Sequence, residues 1–130
     1  MERRRLDAAG HVVPSLGDYA RVAREVAAAE GVAFIDLNAL SIKFYEALGP
    51  EQSARAFAAP GGKVDNTHHD NYGSYELAKC IVQGIRDARL ALANSIVDDF
   101  VGFDPAKPDS PEKFVMPASP NFTNVRPLGD

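Results

Sequence analysis

The residues best equipped for chemistry lie in one short run, Asp65-Asn66-Thr67-His68-His69-Asp70-Asn71-Tyr72-Gly73. A carboxylate three residues before an imidazole lets one tight loop present both groups. In acyl transfer a histidine takes the proton of a serine hydroxyl, while a buried carboxylate fixes the imidazole tautomer and stabilises its cation. Asp65 and His68 have the types and the spacing for those roles. The positive end of a helix dipole beside them would disfavour imidazolium and keep the base neutral until a proton arrives. Two other readings stand beside this one. Asp65 and Asp70 can cap turns while the histidines are merely exposed, and spacing alone does not separate that reading from the catalytic one. Asp65, His68, His69 and Asp70 also offer oxygen and nitrogen donors to a metal. Adjacent histidines usually point apart, however, and no second ligand cluster completes a site.

The elements that must carry this run follow from the pattern around it. Asp18 to Glu30 reads as a helix with Tyr19, Val22, Ala23 and Val26 at helical spacing, ended by Gly31. Val32-Ala33-Phe34-Ile35-Asp36-Leu37 is a nearly continuous apolar run and predicts a strand buried on both faces, as in a parallel sheet. Asn38 is placed to cap a following helix whose Leu40, Phe44 and Leu48 share one face. Gly49-Pro50 stops that helix, and Pro50 opens a further short one through Phe57. Pro60-Gly61-Gly62 demands a loop. A long helix with Asp70 as its cap is predicted from about Tyr72 to about Val97, its apolar face formed by Leu77, Ala78, Ile81, Val82, Ile85, Ala88 and Leu92. From Asp104 onward six of the nine prolines fall in the last 27 residues, an extended tail. The expected organisation is therefore a domain over 1–103 and a Pro-rich tail over 104–130. One doubly buried strand cannot satisfy its own ladder. Helix–strand–helix order implies a parallel α/β sheet whose other strands are missing, so the chain reads as the C-terminal part of something larger.

Composition narrows the function classes. The 130 residues are 45% hydrophobic and 25% charged with a net charge of −4, which suits a globular domain and argues against a sequence-independent grip on nucleic acid. The Arg3-Arg4-Arg5 cluster reads as a solvated turn. No apolar run approaches the roughly 18 residues of a membrane span, and the charged start Met1-Glu2-Arg3-Arg4-Arg5 lacks the apolar stretch of a signal peptide. Cys80 is the single cysteine, which excludes an internal disulfide and reads as a buried structural thiol. Asp36 ends the expected strand, where α/β proteins place functional groups, and helix capping explains it equally well. Asn121-Phe122-Thr123 matches a glycosylation acceptor and is read as incidental.

The run Asp65-x-x-His68-x-x-x-x-Gly73 resembles the last conserved block of the SGNH (GDSL-type) hydrolases. Gly17-Asp18-Tyr19, Glu30-Gly31-Val32, Ile35-Asp36-Leu37-Asn38-Ala39-Leu40-Ser41 and Leu48-Gly49-Pro50-Glu51, in this order and spacing, resemble the rhamnogalacturonan acetylesterase branch. The opening Met1–Arg5 and the tail from Phe103-Asp104-Pro105 to Ala118-Ser119-Pro120 look like the same branch. The resemblance implies the C-terminal part of a flavodoxin-like three-layer α/β/α sandwich. It implies hydrolysis of O-acetyl esters on pectic polysaccharide, with neither metal nor organic cofactor. His68 would be the general base, Asp65 its orienting carboxylate, and Gly73 the motif glycine that lets the last helix pack closely.

The departure from the family pattern is as informative. The family's nucleophile sits in a Gly-Asp-Ser segment, and these residues contain none, nor the glycine and Gly-x-Asn-Asp blocks of an oxyanion hole. Ser15, Ser41, Ser53, Ser74, Ser95, Ser110 and Ser119 all lack that setting, and no G-x-S-x-G elbow replaces it. The expectation is an Asp–His half-triad without a nucleophile, inactive alone, or a subunit that pairs with a separately encoded N-terminal half.

Overall fold

A computed structural model describes residues 1–116. The tail beyond, with Ser119 and the Asn121-Phe122-Thr123 acceptor, lies outside the described residues.

Three α-helices dominate: α1 (Tyr19–Ala29), α2 (Leu37–Ala54) and α3 (Asn71–Asp87), with 3-10 turns at Pro60–Gly62 and Ala91–Ser95. The alanines of α1 favour the helix, and Gly31, at φ +64°, stops it. Gly31 N–H donates to Ala28 O (3.3 Å) and Val32 N–H to Ala27 O (3.0 Å), the paired bonds of a Schellman cap.

The expected strand is not formed. Residues 32–36 belong to no helix or strand, and Val32 and Phe34 are 59% and 38% exposed rather than doubly buried. Among the described residues there is no sheet, only the isolated antiparallel bridges Leu6–Val12 and Phe57–His69. The reason is physical. An apolar run becomes a strand only when a neighbour supplies its ladder, and none stands beside this one. The three-layer sandwich is therefore not seen, and the described part is helix-rich. Ile35 still docks inward, against Gly84 of α3.

Asp36, not Asn38, caps α2. Its carboxylate accepts from Ala39 N–H at 2.9 Å and also pairs with Arg24, so Leu37 is already helical. Gly49 (φ +73°) kinks the helix and Pro50 restarts it, ending at Ala54 rather than Phe57. Asp70 caps α3 by accepting from Gly73 N–H at 2.9 Å. This helix stops ten residues short of Val97. Arg89 turns left-handed (φ +51°), with Arg89 N–H bonded to Arg86 O and Leu90 N–H to Ile85 O. That is a second Schellman cap, built without glycine.

The core lies between α2 and α3. Val12, Phe44, Tyr45, Ala56, Phe57, Tyr72 and Leu77 form one buried cluster. Tilted aromatic pairs knit it, Tyr45–Phe57 at 5.2 Å, Phe44–Tyr45 at 5.5 Å and Phe44–Tyr72 at 6.1 Å between centroids. Of the expected α3 face, Leu77 is buried, Ile81, Val82 and Ile85 are half-buried, and Ala78 is exposed. Cys80 is buried, and burial pushes its thiol up to about 11. Residues 100–114 run back along α3. Arg86 donates to Phe100 O, Phe103 N–H to Gln83, and Tyr72 Oη to Asp109 O, while Phe114 packs on Tyr72 and Tyr75.

Candidate active site

A hairpin-like loop between α2 and α3 presents the site. Asp65 N–H donates to Ala58 O, Ala58 N–H to His68 O (2.8 Å), and Asp70 N–H to Ala56 O. These bonds tie 56–58 to 65–70, and the Pro60–Gly62 turn forms the tip. Gly73 allows α3 to start hard against this loop. A Cβ there would lie 2.0 Å from Ala56 O and 2.9 Å from the His69 ring, so only glycine fits.

Within the loop, Asp65 holds His68 from both ends of its carboxylate. Oδ1 accepts the backbone N–H groups of Thr67 (2.8 Å) and His68 (2.7 Å), and Oδ2 lies 2.6 Å from His68 Nδ1. Those N–H bonds and the imidazole hold the Asp65 carboxyl at about 2, well below its ordinary range. With Nδ1–H directed at Asp65, Nε2 is the free basic nitrogen. The His68 side chain is 78% exposed and that of Asp65 28%, so the ring is open to a reactant and the pair sits at the surface. Chemically, the pair can take a proton at Nε2 and stabilise the resulting imidazolium.

The other residues of the run do different work. His69 turns inward. Its Nε2 is 2.8 Å from Tyr45 Oη, its ring lies 4.4 Å from the Phe57 ring, and burial lowers its pKa. Asp70 is engaged as a cap. Asp65, His68, His69 and Asp70 therefore do not converge as a donor set, and no grouping of three or more metal-type ligands occurs among the described residues. Burial, with smaller contributions from Glu2 and the Cys80 thiol, raises the Tyr45 phenol, which also donates to Glu2 O.

No hydroxyl bonds His68 among the described residues. Ser41 and Ser53 are fully buried, Ser41 Oγ donating to Asn38 O and Ser53 Oγ accepting from Arg4 Nε. Ser15 bonds Glu2 and Ser110 bonds Glu112. The sequence reading missed Arg4 as an individual. It is not part of a uniform solvated turn, since its guanidinium reaches Ser53, Asn66 and Pro50. It also missed Tyr45, the partner that turns His69 away from the site. Neither had a local signal.

The chain is 36% identical over 106 residues to the rhamnogalacturonan acetylesterase RhgT of Bacillus subtilis (strain 168), covering 75% of this chain and 46% of that protein. It is 34% identical over 82 residues to the probable rhamnogalacturonan acetylesterase YesY of the same organism, covering 63% of this chain and 38% of that protein. No family model matches the chain, and no solved structure matches it significantly. The chain spans less than half the length of the curated relatives it matches. Over that shared length the chain is similar to rhamnogalacturonan acetylesterases, which supports the rhamnogalacturonan acetylesterase-like branch of the SGNH hydrolases.

Proposed function

We propose that this chain carries the base and orienting carboxylate of a carbohydrate O-acetylesterase whose serine nucleophile and oxyanion donors lie outside these 130 residues. One observation carries the reading: His68 Nδ1 bonded to Asp65 Oδ2 at 2.6 Å, with the ring exposed. In this mechanism His68 Nε2 takes the serine proton as the hydroxyl attacks the acetyl carbonyl. It returns that proton to the departing sugar oxygen, then activates the water that releases acetate from the acyl-enzyme. Asp65 keeps Nδ1–H in place throughout and stabilises the imidazolium. The names of the relatives support acetylated rhamnogalacturonan as the substrate.

A chimera tests this, with the chain replacing the matched segment of the Bacillus subtilis acetylesterase. It should release acetate from acetylated pectin, and His68→Ala should reduce kcat by about 1,000-fold or more. Activity indifferent to His68→Ala would overturn the assignment. The isolated chain should release acetate only at the buffer rate, because without nucleophile and oxyanion donors little catalysis remains.

A second reading, a complementing subunit joined by a separately encoded half, draws support from residues 32–36. Val32 and Phe34 are exposed there, and the segment pairs with no strand among the described residues. A stable monomer with cooperative unfolding, seen by sedimentation and urea titration, would remove the motive for it.

A further inference from the structure

The loop that positions His68 depends on one residue with a left-handed backbone. Asn66, between Asp65 and Thr67, sits at φ +60°. Asparagine tolerates that conformation better than most residues but still prefers negative φ, so something must hold it. Arg4 does so twice. Its backbone N–H donates to Asn66 O (3.0 Å) and its Nη1 to Asn66 Oδ1 (2.8 Å), which leaves Asn66 Nδ2 facing Val64 O at 3.3 Å. Arg4 is itself fixed by Nε on the buried Ser53 hydroxyl (2.9 Å) and by Nη2 on Pro50 O. A planar guanidinium reaches these three acceptors in fixed directions, which a lysine ammonium on a flexible stem does not.

We propose that Arg4 is a positioning residue for the acid–base pair, acting through Asn66. It touches neither Asp65 nor His68. The turn it stabilises is the one that points the Thr67 and His68 N–H groups at Asp65 Oδ1, and so sets the imidazole beside Oδ2. If Asn66 relaxes to negative φ, the chain leaves Asp65 in a different direction and Nδ1–H loses its acceptor. The inference rests on the proposed role of His68, but its test does not use ester hydrolysis.

The readout is the His68 tautomer in the isolated chain, from imidazole nitrogen NMR shifts in alkaline buffer where imidazoles are neutral. Pairing with Asp65 makes Nδ1–H the dominant form. Arg4→Lys and Asn66→Gly should each lower the Nδ1–H to Nε2–H ratio by about fivefold, the worth of one net hydrogen bond. Glycine accepts left-handed φ freely, so Asn66→Gly removes the side-chain half of the clamp without straining the turn. The double variant should fall no further than either single one, because both break the same link. The inward-facing His69 signals should stay put and report that the fold is intact. An unchanged His68 ratio in either folded variant, or a double variant at the product of the singles, would overturn the proposal. If Arg4→Lys fails to fold, Asn66→Gly decides alone. An inactive chimera alongside a shifted tautomer would sink the esterase reading and leave the clamp standing.

Discussion

Asp65 holds His68 by two separate bonds, one to its backbone N–H at 2.7 Å and one to its ring Nδ1 at 2.6 Å. The loop's own backbone therefore fixes the acid before the imidazole is engaged. The Thr67 and His68 N–H groups do more than the ring to hold the Asp65 carboxyl at about 2. Following the side-chain carboxyl carbon by NMR should give a midpoint near 2 in the folded chain. His68→Ala should raise it only part of the way to the ordinary 3.8, since the backbone donors remain. The sign follows from the lowered value. The loop's order is fully supported above the ordinary carboxylate range and is lost as pH falls from about 4 through about 2. A midpoint restored to 3.8 by His68→Ala would mean that the ring, not the turn, holds the acid.

Gly73 and Gly84 both lie on α3 with a neighbour where a Cβ would go, yet they should respond differently. At Gly73 the obstacle is the Ala56 carbonyl at 2.0 Å, rigid backbone that also accepts from Asp70 N–H. At Gly84 it is the Ile35 side chain at 2.6 Å, on a segment outside any helix or strand. Gly73→Ala should cost about 2–3 kcal/mol by urea titration, the usual cost of overpacking where backbone must move. Gly84→Ala should cost about 1 kcal/mol or less, because Ile35 can shift and alanine favours the helix. Equal losses would mean that residues 32–36 are held as firmly as the Asp65–His68 loop.

Lys79 is the one cation paired with a buried carboxylate among the described residues. Glu76 is fully buried, with Oε1 2.5 Å from Lys79 Nζ and Oε2 accepting from Asp109 N–H. Lys79 also reaches Asp109 at 2.6 Å and lies over the Phe103 ring at 4.4 Å, pinning residues 103–109 to α3. Burial raises the Glu76 pKa despite these partners. Lys79→Met should cost about 3 kcal/mol, because it strands a buried acid. Adding Glu76→Gln should recover much of that loss. A double variant no more stable than Lys79→Met would show that lost packing, not the stranded charge, dominates.

What the sequence made legible was local. Gly31 announces the end of α1 because glycine turns left-handed without penalty, and Asp70 reads as a cap by type and position. The Asp65-x-x-His68 spacing likewise makes its own geometry within four residues. The end of α3 was hidden because Arg89, a good helix former, makes the left-handed turn that glycine usually makes. Val32–Leu37 reads as a strand because its apolar pattern is that of one, but pairing is a property of two segments and none of the described residues pairs with it. Arg4 and Tyr45 were invisible as site residues because they act across 62 and 24 residues of sequence, where no spacing rule applies.

His69 should make stability fall in mild acid. Its ring is packed between Phe57 and Tyr45 and its pKa is depressed by burial, with the nearby Asp70 and Asp65 charges opposing that shift. The unfolded chain then binds a proton more readily than the folded one. Stability from the neutral ring is present above the unfolded value of 6.5 and is lost as pH drops below it towards the folded value. Urea midpoints measured downward from neutral pH should therefore decline before the carboxylates begin to titrate. His69→Gln keeps a polar atom near Nε2 for Tyr45 Oη but cannot take up a proton, so it should flatten that part of the curve. It should also keep most of the stability at neutral pH. Tyr45→Phe should instead lower the whole curve by about 1–3 kcal/mol, because it leaves His69 Nε2 and Glu2 O without their shared partner. A slope that survives His69→Gln unchanged would assign the acid sensitivity to another group and leave His69 a packing neighbour of the Asp65–His68 pair.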